Sequence, residues 1–248
     1  GLGLIPQITW EAQRDLTHSV LATVMAASTL LQILRLIRRS NVWNHALLGV
    51  VLAAGLLSKY TVSIFDAGLL LTALTIPKAR SALLRPQLLI TATVLIILVA
   101  PHSWWMLSNA DLALAGMQKS QPGHGLLLGG IMDALVAATA FLTPFWLGAI
   151  ALLWKNRSNL KQADAEKNPA QAMLQRLPAI IITVLLVVVV STSATHIKDR
   201  WYLSLLFFMP ISAVSLLPPL QTQQLRWAAG LGIACLLYTS DAADDTPC

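Results

Sequence analysis

Long apolar runs separated by short polar clusters set the pattern of this chain. Residues 88–106 and 178–195 hold no Asp, Glu, Lys or Arg. Each run is long enough to cross a hydrocarbon core of roughly 30 Å at about 1.5 Å of rise per helical residue. The pattern predicts helices over 16–37, 44–58, 61–76, 88–106, 126–154, 178–195 and 201–219, with another from 227. The second and third are short, and Ser58-Lys59-Tyr60 between them predicts a tight hairpin. The fifth is long enough to tilt, with Pro144 as the place for a kink. The expected fold class is all-α, a polytopic transmembrane helix bundle of about seven or eight spans.

Composition agrees with this reading. The chain has 248 residues, 56% hydrophobic and 11% charged, where a soluble domain carries about 25% charged residues. The net charge of +6 does not point to nucleic acid, because the cations fall in short clusters between apolar runs. Alternating the spans puts Arg35, Arg38, Arg39, Lys78, Arg80, Arg85, Lys155, Arg157, Lys161, Lys167, Arg176 and Arg226 on one side. The other side receives Arg14, Lys59, Lys119, Lys198 and Arg200. The richer side is expected to be cytoplasmic. Trp43, Trp154 and Trp227 fall at that side, and Trp10, Trp104, Trp105 and Trp201 at the outer side, as an aromatic belt requires.

The ends carry their own signals. Residue 1 is Gly rather than Met, so an upstream part of the protein is expected. Residues 235–248 break an apolar helix and end polar and acidic, in the manner of translated sequencing-adapter sequence. The expected organisation is a partial transmembrane domain over 1–234 and a non-native tail over 235–248. Both cysteines, Cys235 and Cys248, lie in that tail, which leaves no disulfide, thiolate metal site or cysteine nucleophile in the rest.

Polar residues on the outer side need a reason. Glu11, Arg14, Asp15 and His18 are spaced three to four apart and share a helical face. They read either as an ion-paired helix start, where acids suit the dipole, or as a polar site at the membrane surface. Lys59 at the hairpin tip, beside Tyr60, reads either as a snorkelling lysine or as a cation for a phosphate. His196, Lys198 and Arg200 share a short loop with Asp199, and Arg with Lys suits a phosphate group. The alternative there is an interfacial loop anchored by Trp201 and Tyr202. Asp66 and Asp133 fall within spans, where an acid is a functional candidate by default, although Asp66 could simply pair with Lys59. His45, His102 and His124 are isolated in sequence without metal-ligand spacing, and no phosphate-cradling glycine loop is present.

Four ordered pieces carry a resemblance: Trp10-Glu-Ala-Gln-Arg-Asp-Leu-Thr-His-Ser19, Gly55-Leu-Leu-Ser-Lys-Tyr60, Pro101-His-Ser-Trp-Trp105 and Thr195-His-Ile-Lys-Asp-Arg-Trp201. Over about residues 4 to 220 the chain resembles the bacterial membrane glycosyltransferases of the dolichyl-phosphate-mannose protein mannosyltransferase superfamily, family 39-like enzymes with the GT-C fold. The resemblance implies inverting transfer of a hexose or pentose from a polyprenyl-phosphate carrier to a lipid, glycan or protein acceptor. It implies a multi-pass protein of the bacterial plasma (inner) membrane, with its active face periplasmic or extracellular.

By the same resemblance, Asp15 matches a second acidic position that orients acceptor or base. Lys59, His196, Lys198 and Arg200 match positions suited to the carrier phosphate, with Glu11, Arg14, His18, Tyr60 and Asp66 as neighbours. The family's principal base lies in a first outer loop that this chain begins beyond, so the chain by itself is expected to be inactive. The donor is a substrate rather than a cofactor; no metal site is assigned, and dependence on a divalent metal stays open, as do sugar, acceptor, carrier length and oligomeric state. The competing readings are a transporter or flippase, with Asp66 and Asp133 on the substrate path, and a membrane scaffold without catalysis.

Overall fold

The computed structural model describes residues 18–111, 168–192 and 200–216, with isolated positions between 132 and 157. Every regular element among the described residues is a helix. We number them α1 (His18–Arg38), α2 (Val42–Ser58), α3 (Val62–Leu74), α4 (Pro77–Leu83), α5 (Leu88–Ser108), α6 (Pro169–Thr192), α7 (Arg200–Leu206) and α8 (Met209–Ser215). The chain is therefore an all-helical membrane bundle. Among the described residues three helices are long and apolar enough to span a bilayer, or four if the bent α3–α4 pair counts as one.

The short connections make successive long helices antiparallel. Asn41 caps α2 by accepting the Asn44 backbone N–H at 2.8 Å, which satisfies one of the donors that a helix start leaves open. At the other end of α2, Lys59 leaves the helix in extended conformation and its N–H returns to the Gly55 carbonyl. Val62 N–H then bonds the Lys59 carbonyl, so α3 starts after three residues, which is the hairpin that the sequence predicts.

α1 sits at the centre and packs on α2, α3, α4, α6 and α7. Its buried stripe of Ala22, Ala26, Thr29, Ile33 and Leu36 follows helical spacing. α2 joins α1 to α5, and α6 lies against α3. These contacts need small residues. A Cβ on Gly49 would stand 2.7 Å from the Thr91 carbonyl oxygen of α5, and one on Gly68 would collide with Ile181 of α6. Without a hydrophobic driving force in lipid, such close backbone approach is what holds helices together. α5 is peripheral: Thr91 is its one buried residue, and Leu89, Ile96 and Ile97 face outward.

Three boundaries differ from the sequence expectation. The helix expected over 61–76 stops at Leu74, and α4 turns away from it by 115°, because Pro77 cannot donate to the α3 ladder and instead starts a new helix at its first position. The span expected from 178 is continuous with a helix that starts at Pro169, the residue from which the polar loop over 155–177 reads as part helical, and Pro178 lies inside it. The helix expected over 201–219 breaks between Leu206 and Met209, where Pro210 opens α8. The expected helices over 126–154 and from 227, Asp133, His124 and the division at residue 235 fall largely or wholly outside the described residues.

Candidate functional site

Two ends of the bundle can be told apart by their contacts. The first holds the 39–41 turn, α4, the start of α5, the start of α6 and the end of α8. There the Ser40 hydroxyl donates to the Ala82 carbonyl at 3.0 Å, Gln171 and Gln175 donate to the Ser215 carbonyl, and Arg176 donates to the Thr75 carbonyl at 2.9 Å. His45, fully buried, sits 3.1 Å from both the Ser40 and the Thr91 hydroxyls. Histidine 45, isolated in the sequence, is thus a clamp between α2, the preceding turn and α5.

The second end holds the hairpin tip at Lys59 and Tyr60 and the last turns of α5. Tyr60 is 55% exposed. Its hydroxyl lies 2.6 Å from His102 Nε2 and 3.3 Å from the Met106 sulfur. The His102 ring stacks on Trp105, with centroids 6.2 Å apart and planes 17° from parallel. His102 is therefore also not isolated: residues 42 positions apart in sequence join the hairpin to α5. The sequence signal for this pair lay in the span ends, since the tip after α2 and the last turn of α5 must share a membrane face.

The backbone brings two further elements to this end. α1 begins there at His18, because it runs antiparallel to α2. α7 reaches it from below. Phe65, one turn into α3, packs against Phe207 and Phe208 with ring centroids 5.2 and 5.7 Å away. Seven helical residues at about 1.5 Å each lift Arg200 roughly 10 Å from that level toward the hairpin end. Lys59, Tyr60, the α1 start at His18 and the α7 start at Arg200 consequently belong to one end of the bundle. Glu11, Arg14, Asp15, His196 and Lys198 lie outside the described residues.

Asp66 lies beneath the hairpin and is only 7% exposed. Its side chain turns inward, with Oδ2 3.6 Å from where a Gly55 Cβ would stand, on the side of Thr29, whose hydroxyl donates to the Met25 carbonyl at 3.1 Å. Oδ1 has no hydrogen-bond partner, and neither does the buried Thr61 hydroxyl at the start of α3. The carboxylate thus lies between α1, α2 and α3, beneath the hairpin tip. A buried acid with one open oxygen is costly in an apolar bundle. Thr29 was not singled out from sequence; its place on the buried stripe of α1 is the signal that could have found it. Among the described residues no group of three or more His, Cys, Asp or Glu could hold a metal ion.

Comparison with known proteins adds to this picture of a helical bundle with Lys59, Tyr60 and the buried Asp66 toward one end. Residues 4–105 match the family described as dolichyl-phosphate-mannose-protein mannosyltransferase. The chain matches a membrane glycosyltransferase of the GT-C kind. It is 27% identical over 217 residues to the lipopolysaccharide core galacturonosyltransferase RgtB of Rhizobium johnstonii, covering 85% of this chain and 43% of that protein. It is 26% identical over 233 residues to RgtA of the same organism, a protein of the same description, covering 92% of this chain and 46% of the relative. The chain thus spans less than half the length of these two relatives. No solved structure matches it.

Proposed function

We propose that this chain is the catalytic-face portion of a bacterial inner-membrane glycosyltransferase that takes a sugar from a polyprenyl-phosphate donor. The acceptor is a lipid, glycan or protein at the outer surface of the membrane. The observation that carries the proposal is the likeness to two galacturonosyltransferases across 85% and 92% of the chain. The basic end, with Arg35, Arg38, Arg39, Lys78, Arg80 and Arg85 exposed, is then cytoplasmic. The hairpin end faces the periplasm or cell exterior.

In this reading Lys59, His196, Lys198 and Arg200 bind the carrier phosphate and stabilise it as it leaves. Asp15 orients acceptor or base, and an upstream acidic residue removes the acceptor proton. Glu11, Arg14, His18, Tyr60 and Asp66 surround them. The names of the relatives make galacturonic acid and the lipopolysaccharide core the first donor sugar and acceptor to try.

The test uses the whole protein that contains this chain, reconstituted with a polyprenyl-phosphate sugar. Lys198→Ala combined with Arg200→Ala should lower transfer by about 100-fold or more. Unchanged transfer in the double variant, with normal expression, would overturn the phosphate role.

A further inference from the structure

The end opposite the candidate site carries a charge problem of its own. Arg35, Arg38 and Arg39 lie on and just after the last turn of α1, Lys78 and Arg80 on α4, and Arg85 just beyond it; all six are exposed. The described residues include only two acids. Asp66 is buried beneath the hairpin, and Asp111 follows the far end of α5. No described carboxylate therefore stands at the basic end.

α4 shapes this rim. Its 115° bend from α3 lays it across the end of the bundle instead of through it. Ala79, Ala82 and Leu83 are buried on its inner side, and it packs on α1. The Ser40–Ala82 bond fixes its far end to the turn after α1. Lys78 and Arg80 are thereby turned outward beside the α1 arginines. Trp43, 82% exposed in the first turn of α2, marks the level of the lipid–water interface.

We propose that this rim is a binding surface for anionic phospholipid headgroups, held between the last turn of α1 and α4. The guanidinium groups offer forked donors to phosphate oxygens, and Lys78 supplies a point charge. Anionic headgroups of the cytoplasmic leaflet supply the counter-charge that the described chain lacks, and basic pockets at this depth suit them. The surface lies at the opposite end from the transfer site, so this inference is independent of the proposed activity.

The test is lipid binding by the whole protein in neutral detergent, read by native mass spectrometry and by thermal unfolding with added phosphatidylglycerol or phosphatidylcholine. Phosphatidylglycerol should be retained and should raise the unfolding temperature, while phosphatidylcholine should not. Lys78→Gln with Arg80→Gln should weaken phosphatidylglycerol binding on the order of tenfold. Adding Arg38→Gln and Arg39→Gln should weaken it further; if the four-fold variant fails to fold, the α4 pair alone decides. Equal retention of both lipids, or unchanged phosphatidylglycerol binding in the α4 pair, would overturn the proposal. Two more acids, Asp164 and Glu166, belong to the polar stretch that precedes α6; phosphatidylglycerol binding that emerges only in Asp164→Asn with Glu166→Gln would also overturn the proposal, by showing the chain's own acids to be the occupant.

Discussion

The two ends of the bundle handle polar groups in opposite ways. At the basic end they are locked into one another: His45 bridges Ser40 and Thr91, Ser40 reaches Ala82, Gln32 donates to the Asn44 carbonyl at 2.8 Å, and Asn41 caps α2. Gln87 and Ser212 each keep one open buried oxygen in that half, but both are neutral. At the hairpin end the Thr61 hydroxyl and one Asp66 oxygen are the open buried atoms, Asp66 is ionisable, and the Tyr60–His102 pair is exposed. One end is built for packing, and the other tolerates a polar cost that packing does not explain. Buried groups left open in a folded protein call for a functional or solvent-based reason, and a lipid-linked substrate at that end would provide one.

The comparison can be broken most forcefully through the packing that both ends share. Gly49→Val should destabilise the protein by about 3 kcal/mol, because the new side chain meets the Thr91 carbonyl and Val94. A thermal or denaturant unfolding curve checks this, and a neutral result would mean that α2 and α5 are not closely apposed. His45→Ala should cost about 2 kcal/mol by removing the buried ring and its contacts to the Ser40 and Thr91 hydroxyls. Lipid-linked sugar transfer at saturating substrate should remain near wild type in the surviving folded fraction, since the clamp is remote from the hairpin.

The hairpin end should answer with the opposite sign. Asp66→Asn should leave stability unchanged or raise it by about 1 kcal/mol, because a neutral amide is easier to bury than an acid. Transfer should fall in the same variant; a stable variant with full activity would reduce Asp66 to a tolerated accident of packing. The smallest effect belongs to Tyr60→Phe. Losing one exposed hydrogen bond should change stability by about 0.5 kcal/mol or less. If the His102 contact positions the tip for substrate, the loss should appear as a raised KM with kcat little altered, measured by varying the lipid-linked donor.

Sequence and structure divide these features in a consistent way. The hairpin at Ser58–Tyr60 was legible because two apolar runs nearly touch, and the buried Asp66 was conspicuous because acids are rare in apolar segments. The bend at Pro77 was not read, since a continuous apolar run over 61–76 hides a change of direction that Thr75, Ile76 and Pro77 produce together. His45 and His102 read as isolated because Thr91 and Tyr60 lie 46 and 42 residues away from them, and only the shared membrane face of two span ends hints at the second pair.

What the sequence determined by itself is the membrane-spanning helical class, the side that gathers the cations and the likeness to membrane glycosyltransferases. These follow from local quantities, namely run length, charge placement and short motifs, which survive without knowledge of neighbours. Only the tertiary structure decided that α4 lies across the bundle, that Asp66 turns toward Thr29 and Gly55, and that Tyr60 meets His102. Each of those depends on how close two backbones come, and that distance is set by small residues such as Gly49, Gly55 and Gly68 meeting particular partners on other helices.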